Sequence, residues 1–140
     1  MNKIDLSGAW KYKLDEAEIL DGEEVFKEEN FKEVLNLPGT TTSNKIGHKL
    51  CSLEEGLTKE NLNGLREEFS YIGWAWYQKE VFIPNEWEGK TIILFLERVM
   101  FESEVWINGK NVGKNTSLSA PHKYTISNYI KFGEKNIIKL

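Results

Sequence analysis

Gly73-Trp74-Ala75-Trp76-Tyr77-Gln78-Lys79-Glu80-Val81-Phe82-Ile83-Pro84 is the stretch whose reading decides the fold. It is rich in aromatic and β-branched residues, its second half alternates, and a proline stops it, so it reads as a strand. A period of two sends Tyr77, Lys79, Val81 and Ile83 toward a core, and Trp76, Gln78, Glu80 and Phe82 toward a mixed face. Pro84 has no N–H to give to a ladder, so pairing is expected to end before it.

Outward from this stretch the same period recurs. Over residues 6–14, Leu6, Gly8, Trp10, Tyr12 and Leu14 share one parity and Ser7, Ala9, Lys11 and Lys13 the other, which predicts a half-buried strand with Trp10 and Tyr12 in the core. Residues 15–36 carry many acidic residues, with apolar residues scattered and no helical period throughout, and the glutamates read as solvated surface. Leu37-Pro38-Gly39 is turn chemistry, and Thr40-Thr41-Thr42-Ser43-Asn44 a hydroxyl-rich loop. Gly47, Gly56 and Gly64 punctuate residues 45–70, with room for a short helix at residues 57–69.

Beyond Pro84, residues 90–97 have a continuous apolar centre that suits a strand covered on both faces. Residues 101–108 alternate, with Phe101, Ser103, Val105 and Ile107 inward and Glu102, Glu104, Trp106 and Asn108 outward. Asn108-Gly109 is a hairpin signal, since both residues tolerate positive φ. Tyr124 and Ile126 mark a further strand and residues 137–140 a last one, whose pattern is expected to continue in a longer protein. Many short strands with close turn signals predict an all-β, antiparallel sandwich in one domain, residues 1–140.

Composition narrows the function. The chain's 140 residues suffice for a core but fall short of a catalytic barrel, which takes about 250. A net charge of −4 gives no electrostatic reason to expect nucleic acid. No apolar run approaches the roughly 18 residues that a membrane-spanning helix needs. Cys51 is the only cysteine, so no intrachain disulfide forms, and no Cys or His spacing suggests zinc; neither metal nor cofactor is expected. The N-terminus lacks an apolar signal core, so the chain as written reads as cytoplasmic, or as periplasmic or secreted if a leader has been removed.

The landmarks, taken in order, resemble the N-terminal sugar-binding domain of glycoside hydrolase family 2, the group of β-galactosidases, β-glucuronidases and β-mannosidases. Leu6-Ser7-Gly8-Ala9-Trp10 resembles the family's opening strand, Leu37-Pro38-Gly39-Thr40 its Leu-Pro-Gly turn, and Ala75-Trp76-Tyr77-Gln78-Lys79 its Trp-Tyr strand. Val105-Trp106-Ile107-Asn108-Gly109, Val112-Gly113, Tyr124-Thr125-Ile126-Ser127 and Gly133-Glu134-Lys135-Asn136 are similar to its later motifs. Lys79 stands where the family usually has Arg, and Thr125 where it usually has Asp. Ser117-Leu118-Ser119-Ala120-Pro121-His122 is similar to a variant found in β-galactosidase-like members.

The resemblance implies a jelly-roll sandwich like galactose-binding domains, followed in the parent protein by an immunoglobulin-like domain and a catalytic (β/α)8 barrel. A retaining glycosidase needs two carboxyls about 5–5.5 Å apart, and in this family both glutamates lie on the barrel. The 140 residues alone are therefore expected to be inactive, with no catalytic residue of their own.

Sugar contact is the remaining chemistry, because pyranose C–H faces pack on Trp while the hydroxyls need polar partners. Trp74 and Trp106 are the candidate platforms, with Thr41, Asn44, Asn108, Ser119 and His122 as candidate polar contacts. Each also has an ordinary structural reading as core, turn or covered surface. Three roles are open: an accessory domain that binds β-glycosides and shapes one rim of a barrel active site, a free lectin-like module, or a purely structural interdomain module.

Overall fold

The computed structural model describes residues 2–16, 31–49 and 68–140. Ten strands are found there: β1 (Gly8–Asp15), β2 (Glu33–Leu37), β3 (His48–Lys49), β4 (Phe69–Ser70), β5 (Trp74–Ile83), β6 (Ile93–Leu96), β7 (Ser103–Ile107), β8 (Lys110–Asn115), β9 (His122–Thr125) and β10 (Glu134–Lys139). β5 is the aromatic stretch that decides the fold, and it ends at Ile83, one residue before the proline.

β5 pairs antiparallel with β1 on one side and with β10 on the other, in a six-stranded sheet ordered β2-β1-β5-β10-β7-β8. β6 and β9 form a second antiparallel sheet, and β3 with β4 a short third. The core joins the inward residues of the large sheet (Trp10, Tyr12, Leu35, Val81, Ile83, Val105, Ile107 and Ile138) to Ile92, Leu94, Tyr124 and Ile126. Two antiparallel layers over one core make an all-β sandwich.

The registers define two ends. Asp15 opposes Trp74, and Ser103 opposes Asn115, while Leu96 opposes His122, whose ring meets Ser103. The connections 71–73, 97–102 and 116–121 therefore gather at one end. Residues 38–46, the 108–109 turn and residues 127–133 gather at the other.

At that second end sits a buried polar network. Asn136, on the inward parity of β10, is wholly buried, so its amide must find partners inside. Its Oδ1 accepts from Asn108 Nδ2 at 2.8 Å and from the Lys131 N–H at 2.7 Å. Its Nδ2 donates to the carbonyls of Lys131 (2.8 Å) and Glu134 (3.1 Å). Asn108, at φ 50°, also donates to the Tyr129 carbonyl and accepts from Ile137 N–H. Gly133 completes the turn at φ 70°, where an added Cβ would come within 2.3 Å of Asn85 Oδ1.

The structure corrects some of these expectations and adds to others. Glu33–Leu37 lies in a stretch for which no regular element was expected and is strand β2: Glu33 is exposed, and Leu35 opposes Trp10 in the core. The strand in residues 90–97 is covered on one face only, with Ile93 and Phe95 each 51% exposed, because β6 lies outermost with nothing beyond it among the described residues. Phe101 does not face inward: β7 begins at Ser103, and φ 52° at Phe101 breaks the parity. The mixed face of β5 is divided: Trp76 and Gln78 are buried, with Phe31 and Trp106 packed around Trp76, while Glu80 and Phe82 are exposed. Most of the proposed helix at 57–69 lies outside the described residues; Phe69 itself opens β4.

Two outcomes test this architecture. Asn136→Ala leaves two donors, Asn108 Nδ2 and the Lys131 N–H, and two carbonyl acceptors without this partner, and should lower the unfolding free energy by about 3 kcal/mol in a urea titration, against less than about 0.5 for the exposed Asn128→Ala. Tyr12 opposes Glu33, and burial followed by the hydrogen bond and charge of Glu33 pushes its phenol up to about 12. The unfolded chain ionises near pH 10, so this contribution is intact below pH 10 and is lost as pH rises toward 12. Tyr12→Phe should flatten the fall in stability across that window.

Candidate functional site

Trp74 opens β5 at the first end, beside Gly73 at φ 140°, where a Cβ would lie 3.0 Å from Glu16 Cα and 3.2 Å from the Asp15 carbonyl. The chain enters the strand under a latch: the Tyr71 hydroxyl accepts from Asp15 N–H at 3.0 Å and donates to the Trp74 carbonyl. Burial is the first cause that raises the Tyr71 phenol above its ordinary range.

The indole of Trp74 is already engaged. Trp76 stacks with it at 6.4 Å between centroids and 25° between planes, and Lys114 Nζ stands 4.9 Å from its ring centroid. Lys114 is in turn paired with the Glu102 carboxylate, and that hydrogen bond holds its ammonium above the usual lysine range.

Trp106 lies on the outer face of β7, half-buried against Phe31 and Trp76. Its Nε1 donates to Glu104 Oε1 at 2.7 Å, which also accepts from Asn111 Nδ2 at 2.6 Å. The register sets Trp106, Lys139, Gln78 and Lys11 in one row across this outer face, with Lys139 Nζ 4.7 Å from the Phe31 ring. Trp76 Nε1 and Gln78 Oε1 are buried there without a hydrogen-bond partner. Reading the sequence missed this pair; the signal was a glutamine inside an aromatic run, on a strand with neighbours on both sides.

Asn44 and Thr41 bond within their own turn, and Asn108 to the 127–133 connection. Asn44 braces the turn after β2, accepting from Asn36 N–H at 2.9 Å and donating to the carbonyls of Asn36 and Thr40. The carbonyl of Thr41 accepts from Asn44 and Ile46. Asn108 belongs to the Asn136 network, and Ser119 is exposed on the 116–121 connection.

His122, read as a loop residue, instead opens β9 and is wholly buried, as its parity with Tyr124 and Ile126 required. Its Nε2 faces the Ser117 carbonyl at 2.8 Å and so carries a hydrogen. Its Nδ1 meets Ser103 Oγ at 2.6 Å, and the Tyr124 hydroxyl donates to the Ser103 carbonyl at 2.9 Å.

The seven residues thus form no single site. Trp74, Ser119 and His122 lie toward one end, Thr41, Asn44 and Asn108 at the other, and Trp106 on the outer face between. No group of three or more His, Cys, Asp or Glu among the described residues could hold a metal ion. No helix among them is long and apolar enough to cross a membrane.

The architecture is an all-β sandwich of antiparallel sheets. The profile described as "Glycosyl hydrolases family 2, sugar binding domain" matches residues 4–140, and the chain belongs to that family. Among curated relatives, the β-glucuronidase of Canis lupus familiaris is 23% identical over 133 residues, covering 92% of this chain and 19% of its own length. The β-galactosidase of Thermoanaerobacter pseudethanolicus is 27% identical over 135 residues, covering 96% of this chain and 14% of its own. Among solved structures, a β-glucuronidase from Ruminococcus gnavus superposes with a TM-score of 0.71 at 24% identity, over 96% of this chain and 20% of that one. The chain spans about a fifth or less of these relatives.

Removing the ammonium above Trp74 tests the site's geometry. Lys114→Ala should make Trp74 more accessible to acrylamide, read as the quenching lost when Trp74→Phe is added, while the urea midpoint barely moves, because an exposed ion pair adds little to stability. Unchanged quenching would show that Lys114 does not shield the ring.

Proposed function

We propose that the chain is the non-catalytic, carbohydrate-associated N-terminal domain of a family 2 glycoside hydrolase whose parent protein cleaves a β-glucuronide or a β-galactoside. The carrying observation is the family match across residues 4–140. The curated relatives named β-glucuronidase and β-galactosidase support the two substrate classes.

In this reading the sandwich braces the catalytic barrel and forms one rim of its active site. The barrel supplies both glutamates of the retaining mechanism, and this chain supplies shape and support. The engagement of Trp74 by Trp76 and Lys114, and of Trp106 by Phe31 and Trp76, favours this role over a free lectin, since a stacking platform needs an open ring face.

The test compares residues 1–140 with the full-length parent polypeptide on chromogenic β-glucuronide and β-galactoside. The parent should hydrolyse one of them and the 140 residues neither; hydrolysis by the 140 residues alone would overturn the reading. The lectin role is separated by titrating the same sugars into the 140 residues. About 10 mM sugar, well above a millimolar Kd, should leave the tryptophan emission unchanged.

A further inference from the structure

We propose that Asn108-Gly109 is a self-modification site that the native fold silences: once freed from the end of the sandwich that holds Asn136, Asn108 deamidates, and the product no longer fits the place it left. An asparagine followed by glycine is the step at which a side-chain amide is most readily lost, because glycine presents a backbone nitrogen with no side chain to obstruct attack. The sequence holds two such steps, Asn63-Gly64 and Asn108-Gly109, and the second is among the described residues.

The reaction consumes one water and releases one ammonia. The Gly109 backbone nitrogen gives up its proton and attacks Asn108 Cγ, and as that C–N bond forms the bond from Cγ to Nδ2 breaks. Ammonia leaves with the proton that Gly109 lost. Water then opens the five-membered imide at one of its two carbonyls, leaving an aspartate or, where the chain stays joined through the side-chain carbon, an isoaspartate.

The native turn opposes that attack. The Asn108 amide gives away both Nδ2 hydrogens, to the Tyr129 carbonyl at 2.9 Å and to Asn136 Oδ1 at 2.8 Å, and its Oδ1 accepts from Ile137 N–H at 3.0 Å. The Asn108 backbone N–H also donates to the Ile137 carbonyl at 3.0 Å, so side chain and main chain are both tied to β10. Attack turns Cγ tetrahedral and expels Nδ2, so it has to break all three amide bonds. The same bonds decide the fate of the product. A carboxylate at position 108 has no hydrogen for the Tyr129 carbonyl or for Asn136 Oδ1, and it sets like partial charges against both. Isoaspartate lengthens the backbone by one carbon inside a two-residue turn that the Ile107 and Lys110 pair closes, with Asn108 at φ 50° and Gly109 at φ 84°. Modification therefore requires opening of this end, and once made it keeps the end open.

Peptide mapping of the intact chain tests both halves. Trypsin releases residues 99–110 as a peptide in which Asn108 is the sole amide side chain. The protein is held in mildly alkaline buffer, native or in concentrated urea, and after digestion the conversion of this peptide to its acid forms is followed by mass and chromatography. In urea Asn108 should convert at a rate comparable to that of Asn63 in the same digest. In the native protein it should convert at least about tenfold more slowly, since a site reached only by opening reacts in proportion to the open fraction. Equal conversion of Asn108 with and without urea, in protein that retains a cooperative unfolding transition, would overturn the silencing. For the product, Asn108→Asp should fail to regain the native tryptophan emission on dilution from urea, whereas Asn108→Gly, which suits the positive φ and carries no carboxylate, should refold. An Asn108→Asp chain that refolds as well as Asn108→Gly would show that the turn accepts the carboxylate, and would overturn the exclusion of the product.

Discussion

A primary amide in an apolar interior has four hydrogen-bonding positions to satisfy, and the fold closes around that constraint at Asn136. Its partners come from the first residue of the β7–β8 turn, from both backbone groups of Lys131 and from the start of β10. One side chain thereby fixes the register of the hairpin, the path of the β9–β10 connection and the entry of β10 beside β5. Apolar burial fixes which parity faces the core but does not by itself distinguish a slip of two residues, whereas a buried amide that loses a partner costs about 1–3 kcal/mol per group. Register in this sandwich is therefore set by polar chemistry at one end and stabilised by aromatic and aliphatic packing along its length.

The same reasoning redistributes the family's landmark residues. Asn108, Gly133 and Asn136 hold the closed end together, and Asn44 bridges the turn after β2 to its last residues. Ser103, His122 and Tyr124 form a second buried polar cluster between the two sheets at the opposite end. These residues build the scaffold. The family description "sugar binding domain" need not locate a sugar on any of them.

How far the sequence could be read depends on period and neighbourhood. The strand at Gly8–Asp15 and the inward residues Ser103, Val105 and Ile107 were legible because each alternates between one wet and one dry side. β2 was not, because five residues beside an acidic run carry too little pattern, and only Trp10 across the ladder identifies Leu35 as core. The first half of β5 misled for the opposite reason: both of its faces are covered, so alternation cannot report burial at Trp76 or Gln78. His122 was legible in parity but was read from its polar neighbours. Asn108 and Phe101 were misplaced because positive φ at a strand end re-aims the side chain, which no period-two count can register.

The balance between a ligand platform and a braced interface turns on partners rather than on ring energetics. Exposed cation–π contacts are generally worth about 0.5–1 kcal/mol, small against the roughly −4 kcal/mol of a millimolar sugar. Energy alone therefore leaves Trp74 open to stacking. A pyranose also requires several polar groups converging on its hydroxyls beside that ring, and the polar candidates lie at opposite ends or already bond to their own backbone. Tryptophan stacked on tryptophan, a lysine locked by a glutamate and loops pinned by the Tyr71 hydroxyl and the His122 imidazole make a rigid surface. Rigidity lowers the ordering cost of association, and a covalently joined neighbour bears no translational cost of meeting its partner. Such a surface suits a bracing role more than a sugar that comes and goes.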